Sequence, residues 1–215
     1  MSELSKENRI PAKPIAFARA VSGPYRRWAY GAMASVLLAT AGGRVSTYIL
    51  GLLTDSAIAF GQGQVDVSAI WKWVFIFPAV YLVNEIIWRC SGFCGMRWIT
   101  GAVAEGSRRL FGYLSEHSAT YFSDRHAGAL VNKISNASSG IEHLLGDWLW
   151  HFLPLIVGLA ADLYLTYFTH PYFALTLLVW IVVYVPVNIF FVSKLHKLSF
   201  AYAESSSLLK GKMVD

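Results

Sequence analysis

Charge is what this chain has least of. Asp, Glu, Lys and Arg make up 14% of its 215 residues, where a soluble domain carries about a quarter. With 55% hydrophobic residues and a mean hydropathy of +0.46, that scarcity excludes an ordinary water-soluble domain. A chain of this length, largely occupied by apolar runs, leaves no room for a second globular one. Cysteine is almost as rare. Cys90 and Cys94 stand one helical turn apart and read as small buried residues in a reducing compartment, since a metal needs more soft ligands than two. Six histidines do not make a haem or metal site: His151 and His170 fall at opposite edges of the apolar runs, and His117, His126, His143 and His196 lie in polar segments. No Ser-His-Asp, Cys-His or paired-carboxylate arrangement suggests catalysis. A phosphate-cradling G-x-x-x-x-G-K-[ST] is missing too: Gly211-Lys212 is followed by Met213 and has Ser206 where a glycine is required.

What the chain has instead is four long apolar runs, at about 28–54, 69–95, 145–169 and 172–194. Each reaches or exceeds the ~20 residues that cross ~30 Å of hydrocarbon. The connections after the first and third are very short, whereas the segment 96–144 between the second and third is nearly fifty residues long. The net charge of +5 is no nucleic-acid footprint, because its placement follows a membrane rule. Lys6, Arg9, Lys13, Arg19, Arg26 and Arg27 precede the first run, Arg97, Arg108, Arg109, Arg125 and Lys133 occupy the long segment, and Lys197, Lys210 and Lys212 follow the fourth run. The two short connections hold no Lys or Arg. By the positive-inside rule both termini and the long segment are cytoplasmic, and the short loops face out. No cleavable signal is expected: the first 27 residues are polar and basic, and the run after them is too long for a signal core.

Along the chain, residues 1–27 read as a cytoplasmic tail, with 15–22 (IAFARAVS) as a short amphipathic elbow helix ended by Gly23-Pro24. Gly61-Gln62-Gly63 makes a turn. From the second run through Glu116 the chain is expected to continue as unbroken helix apart from single glycines, projecting ~30 Å into the cytoplasm over twenty extra residues. The stretch HSATYFSDRHAGAL then reads as a turn around a short surface helix. Val131, Ile134, Ile141 and Leu144-Leu145 lie at helical spacing on the way back, with Lys133, Asn136, Ser139 and Glu142 left for the polar side. Two long rods joined far below the bilayer are the expectation.

Charges inside the runs are costly and therefore informative. Arg44 follows Gly42-Gly43 near the middle of the first run, and Asp162 lies at a matching depth in the third, roughly 24 Å in at ~1.5 Å per residue. Arg44 is expected to pair with Asp162 or to line a hydrated cavity. Glu85 and Arg89 have the i,i+4 spacing of a structural pair, with substrate contact as the alternative. Lys72 between Trp71 and Trp73 reads as an outer interfacial anchor, and Asp147 with Trp148 and Trp150 as the inner one.

Phe111, Ser118, Tyr121-Phe122, Arg125, Gly128, Leu130, Lys133 and Ile141 stand at the spacing of the first intracellular loop of type I ABC exporters, F…S…[FY]F…R..G.L..[RK]……I. TYILGLLTDSA, with Gly51 and Asp55, resembles the end of that family's first span, and 205–215 is similar to the stretch leading into its second intracellular loop. Ala137 departs from the pattern, where the family often has an acid, and Tyr121 stands where it more often has Phe. The resemblance implies an all-α membrane protein: four long transmembrane helices with cytoplasmic extensions, a fragment of an ABC exporter type I transmembrane domain at 28–215, with the first intracellular loop at 96–144 and the start of the second at 195–215. It further implies coupling to a nucleotide-binding domain through Ser118, Tyr121, Phe122, Arg125, Gly128 and Leu130, with the coupling helix at about 120–130. ATP and Mg²⁺ would belong to that nucleotide-binding domain and no cofactor to this chain. The implied partners are the lipid bilayer, the nucleotide-binding domain and a second transporter half as homo- or heterodimer, with no nucleic acid. The implied setting is the plasma (inner) membrane, multi-pass. The fifth and sixth spans and the ATPase motifs, including an LSGGQ-type signature, would lie beyond Asp215. Three rival readings remain at this point: a non-transporting membrane scaffold or assembly partner, an inactive truncated product, and, the weakest, a four-helix redox or metal-carrying membrane protein.

Overall fold

The computed structural model describes residues 11, 13–117 and 127–214, and side-chain surroundings for these except 127–129, 193 and 196–214. Among the described residues the chain is helical throughout, without strands. The elements are α1 (Pro14–Ser22), a 3₁₀ turn (Gly23–Tyr25), α2 (Arg26–Gly61), α3 (Val67–Ser115), α4 (Ala127–Asp147), a π-helical turn (Trp148–Phe152), α5 (Leu153–Thr169) and α6 (Pro171–Val214). The segments Pro14–Gly61, Val67–Ser115, Leu130–Thr169 and Pro171–Val192 are long and apolar enough to cross a membrane. The all-α membrane architecture expected from the apolar runs is the one observed.

Local chemistry accounts for the boundaries. Pro14 and Pro171 open their helices at positions where a missing N–H costs nothing. Between α2 and α3, Gly63 adopts φ +72, a backbone state open to glycine at little cost, while Gly63 and Gln64 donate backwards to the Phe60 and Ala59 carbonyls. Pro78 sits inside α3 and Pro186 inside α6 without ending either helix. The expectation of a second run free of breakers thus overlooked Pro78, which is tolerated as prolines in membrane helices are. The π-helical turn immediately precedes Pro154. That ring removes the N–H that would have bonded the Trp150 carbonyl, and Leu153 instead donates five residues back to Trp148.

The chain divides into two compact units, Met1–Gly158 and Leu159–Asp215. In the first, the core gathers Phe17, Ala18 and Val21 of α1, Ala29, Ala32 and Val36 of α2, Trp98, Ile99 and Ala102 of α3, Ile141 and Leu145 of α4, and Leu149 of the π turn. The buried face of α2 is rich in small residues (Ala29, Ala32, Ala39), and α3 presents Ser91, Gly95 and Gly106 to α4 and the π turn. Small residues let helix backbones approach closely, which matters in lipid because apolar burial between helices gives no driving force there. Tyr25 lies flat on Gly101, where any Cβ would collide with its ring, and this ties the turn after α1 to α3. In the second unit, His170 links α5 to α6: its N–H bonds the Thr166 carbonyl at 2.9 Å, and its carbonyl accepts from Phe173 at 3.0 Å. Trp180 and Tyr184 stack at 4.7 Å along α6, whose apolar side chains up to Leu195 are largely exposed.

Candidate functional site

The long segment between the second and third spans folds back on itself as a paired stalk. At 49 residues α3 measures ~74 Å, more than twice the ~30 Å of a hydrocarbon core. Its distal half packs on α4 at matched positions. A Cβ on Gly95 would lie 2.7 Å from Leu149 and Trp150, one on Gly106 would lie 2.7 Å from Ile141 Cδ1, and Ser107 Oγ bonds Ser138 Oγ at 2.7 Å. As the α3 number rises the α4 number falls, so the two helices run antiparallel in close register. Leu130, Ile134, Ile141 and Leu145 are buried, which carries the packing almost to the start of α4. Val131 and Leu144 were expected on the same apolar face but are 49% and 40% exposed: one helix partner buries a narrower stripe than the sequence offers.

The stalk carries an ion cluster that sequence reading missed. Glu105 accepts from Arg108 Nε and Nη2 at 2.8 Å each and from Arg109 Nε at 2.7 Å. These contacts, the Arg108 hydrogen bond foremost, hold the Glu105 carboxyl at about 2 although its partial burial works the other way. A lowered folded-state pKa stabilises above the ordinary carboxylate range and loses that contribution as pH falls towards about 2. Replacing Glu105 by Gln is therefore expected to lower the thermal midpoint of the purified protein at pH 6, and the difference from the parent should shrink as pH drops below 4.5. A pH-independent difference would contradict this role for Glu105.

Of the residues expected at the stalk tip, Ser118, Tyr121, Phe122 and Arg125 lie outside the described residues. Gly128 lies in the first turn of α4, its surroundings likewise outside them, and Leu130 is 7% exposed. Leu130 is thus enclosed by packing at the root of the tip.

Inside the spans the polar groups separate into distinct sites. The Arg44 guanidinium rests against Gly158 of α5, where a Cβ would lie 2.6 Å from Nη2. Asp162 follows Gly158 by four residues. Glu85 is half-buried and Arg89 exposed, with no ion pair between them among the described residues; their spacing permits one, but an exposed pair gains too little to fix two long side chains. Asn84, one residue before Glu85, was not singled out from the sequence. It is 7% exposed, presses on Gly42 of α2, and its Oδ1 finds no donor among the described residues. Thr40 is equally enclosed, and its hydroxyl has no partner among them.

The aromatic anchors also divide. Lys72 Nζ lies 4.9 Å over the Trp73 ring, and Trp148 is 44% exposed. Trp150 turns inward instead, donating from Nε1 to Ser91 Oγ at 3.3 Å. The π turn accounts for this, since one extra residue per turn rotates a side chain off the face that α-helical spacing assigns. Asp147 Oδ1 stands 3.3 Å from His151 Nδ1 on the exposed side. Cys90 is exposed and Cys94 half-buried. Cys94 Sγ lies 3.5 Å from where a Cβ on Gly31 would sit.

Residues 30–210 match the family described as ABC transporter transmembrane region. No curated protein and no solved structure gives a match.

Proposed function

The chain belongs to the ABC transporter transmembrane family, and on that premise we propose that it forms part of the translocation pathway of an ATP-driven exporter. It couples to a nucleotide-binding domain through its first intracellular loop. The observation that carries this reading is the antiparallel stalk of α3 and α4, close-packed through Gly106–Ile141 and Ser107–Ser138. A pair of interlocked helices transmits a domain movement across tens of ångströms as a rigid body, which a slack loop cannot do. Tyr121, Phe122 and Arg125 at its end suit the anchor role, because aromatic and arginine side chains dominate interface energetics. Ser118 and Gly128 flank them, and buried Leu130 fixes the end of the stalk. ATP and Mg²⁺ are held by the nucleotide-binding domain, and a second transporter half, identical or not, completes the pathway. The clustering of Lys and Arg puts both termini and the stalk on the cytoplasmic side of the plasma membrane.

Sidedness tests the reading directly. With Cys90 and Cys94 replaced by Ala, a single cysteine at Ser118 should resist a membrane-impermeant maleimide in intact cells and react after permeabilisation. Labelling in intact cells would put the stalk outside and end the proposal.

A further inference from the structure

A groove of about 430 Å³ runs between α1, α2, α3 and the end of α4, within the ~300–1,000 Å³ range of ligand sites. Ile15, Ala18, Met33, Leu144 and Trp148 supply its apolar walls. Arg19 and Ser22 are the polar residues among them. Arg19 is the one charged residue on its lining. Trp98, also on the lining, is 5% exposed, and its indole N–H is enclosed without an acceptor among the described residues.

On the side of α1 and the start of α2 the surrounding charge has one sign. Lys13, Arg19, Arg26 and Arg27 flank the groove along the chain, and no acid occurs between Lys13 and Asp55. On the α4 side the nearest acid in sequence to Trp148 is Asp147, which faces His151. α1 is the amphipathic helix of this unit, burying Phe17, Ala18 and Val21 while exposing Arg19, and such helices lie at the headgroup level of a bilayer.

We propose that the groove binds one anionic phospholipid. Its phosphate sits on Arg19, and an acyl chain lies along Ile15, Met33 and Leu144. The lipid joins α1 to the three longer helices. This rests on the membrane setting of the chain and is independent of the coupling role of the stalk.

The test uses the full chain in phosphatidylcholine nanodiscs doped with phosphatidylglycerol or phosphatidylcholine bearing a diazirine on the acyl chain, with cross-linked peptides mapped after irradiation. The phosphatidylglycerol probe should label the peptides containing Ile15, Met33 and Leu144 several-fold more than the phosphatidylcholine probe. Arg19→Gln should cut that preference about fivefold, the value of one basic contact to an anionic lipid, and Arg19→Lys should restore it. Equal labelling by the two probes, an undiminished preference in Arg19→Gln, or no labelling of these peptides because protein fills the groove would each overturn the assignment.

Discussion

Alanine at both Phe122 and Arg125 is expected to leave membrane insertion and ATP hydrolysis of the assembled transporter intact while abolishing the movement that ATP drives in the spans. The expectation follows from where the stalk is stiff. From Gly95 to Ser107 the two helices are interlocked at side-chain level, and from Leu130 to Leu145 the return helix keeps a continuous buried stripe. A push delivered at the far end therefore moves both rods together. In the proposed coupling role the weak link is the contact between the tip and the nucleotide-binding domain, and there a central aromatic or arginine side chain is worth 2 kcal/mol or more, about thirtyfold in an equilibrium constant. An environment-sensitive fluorophore on a cysteine at Thr47, exposed within the first span, reports the movement. ATP should change its emission in the parent and not in the double variant, with hydrolysis measured in parallel. A variant that responds like the parent would remove Phe122 and Arg125 from the coupling role.

Much of this architecture was legible in the sequence because it rests on one-dimensional facts. Four spans follow from four apolar runs, the turn at Gly61–Gly63 from a glycine that takes positive φ, and the stalk from the near absence of breakers across nearly fifty residues. What stayed hidden depends on which helix face meets which. Helices apolar all round carry little periodicity, so nothing along the chain singles out Asn84 as buried, and the spacing on α4 does not say that one partner leaves Val131 exposed. Glu105 was overlooked because charges were weighed only inside the spans, although Glu followed by Arg at three and four residues is a visible signal. Trp150 read as an interfacial anchor because α-helical spacing was assumed through Pro154; a proline that close to a tryptophan pair is the cue for a widened turn. Gly106 read as one of several single glycines until the structure supplied Ile141 as the group pressed against it.

The adjacent glycines Gly42 and Gly43 should respond to the same substitution in opposite directions. Gly43 has nothing within 4 Å of a built Cβ, so Gly43→Ala should leave the protein unchanged or raise its stability by about 0.5–1 kcal/mol, the gain of alanine over glycine in a helix. At Gly42 a Cβ would collide with Asn84 Oδ1 and lie 3.1 Å from Cγ and 3.7 Å from Cβ of the same side chain. Asn84 is 7% exposed and cannot swing clear, so α2 and α3 must separate. Overpacking of this kind costs about 1–3 kcal/mol, and Gly42→Leu should prevent stable folding altogether. The identity of the obstacle makes the effect reversible. Asn84→Ala removes the colliding atoms and an acceptor that has no donor, whose burial itself costs ~1–3 kcal/mol. The double variant Gly42→Ala with Asn84→Ala should therefore unfold at a higher temperature than Gly42→Ala alone, a departure from additivity within the range seen for residues in contact. Thermal midpoints of the four proteins in one detergent decide the matter. Equal tolerance at positions 42 and 43 would mean that α2 meets α3 through a different face, and the α2–α3 register described above would fall with it.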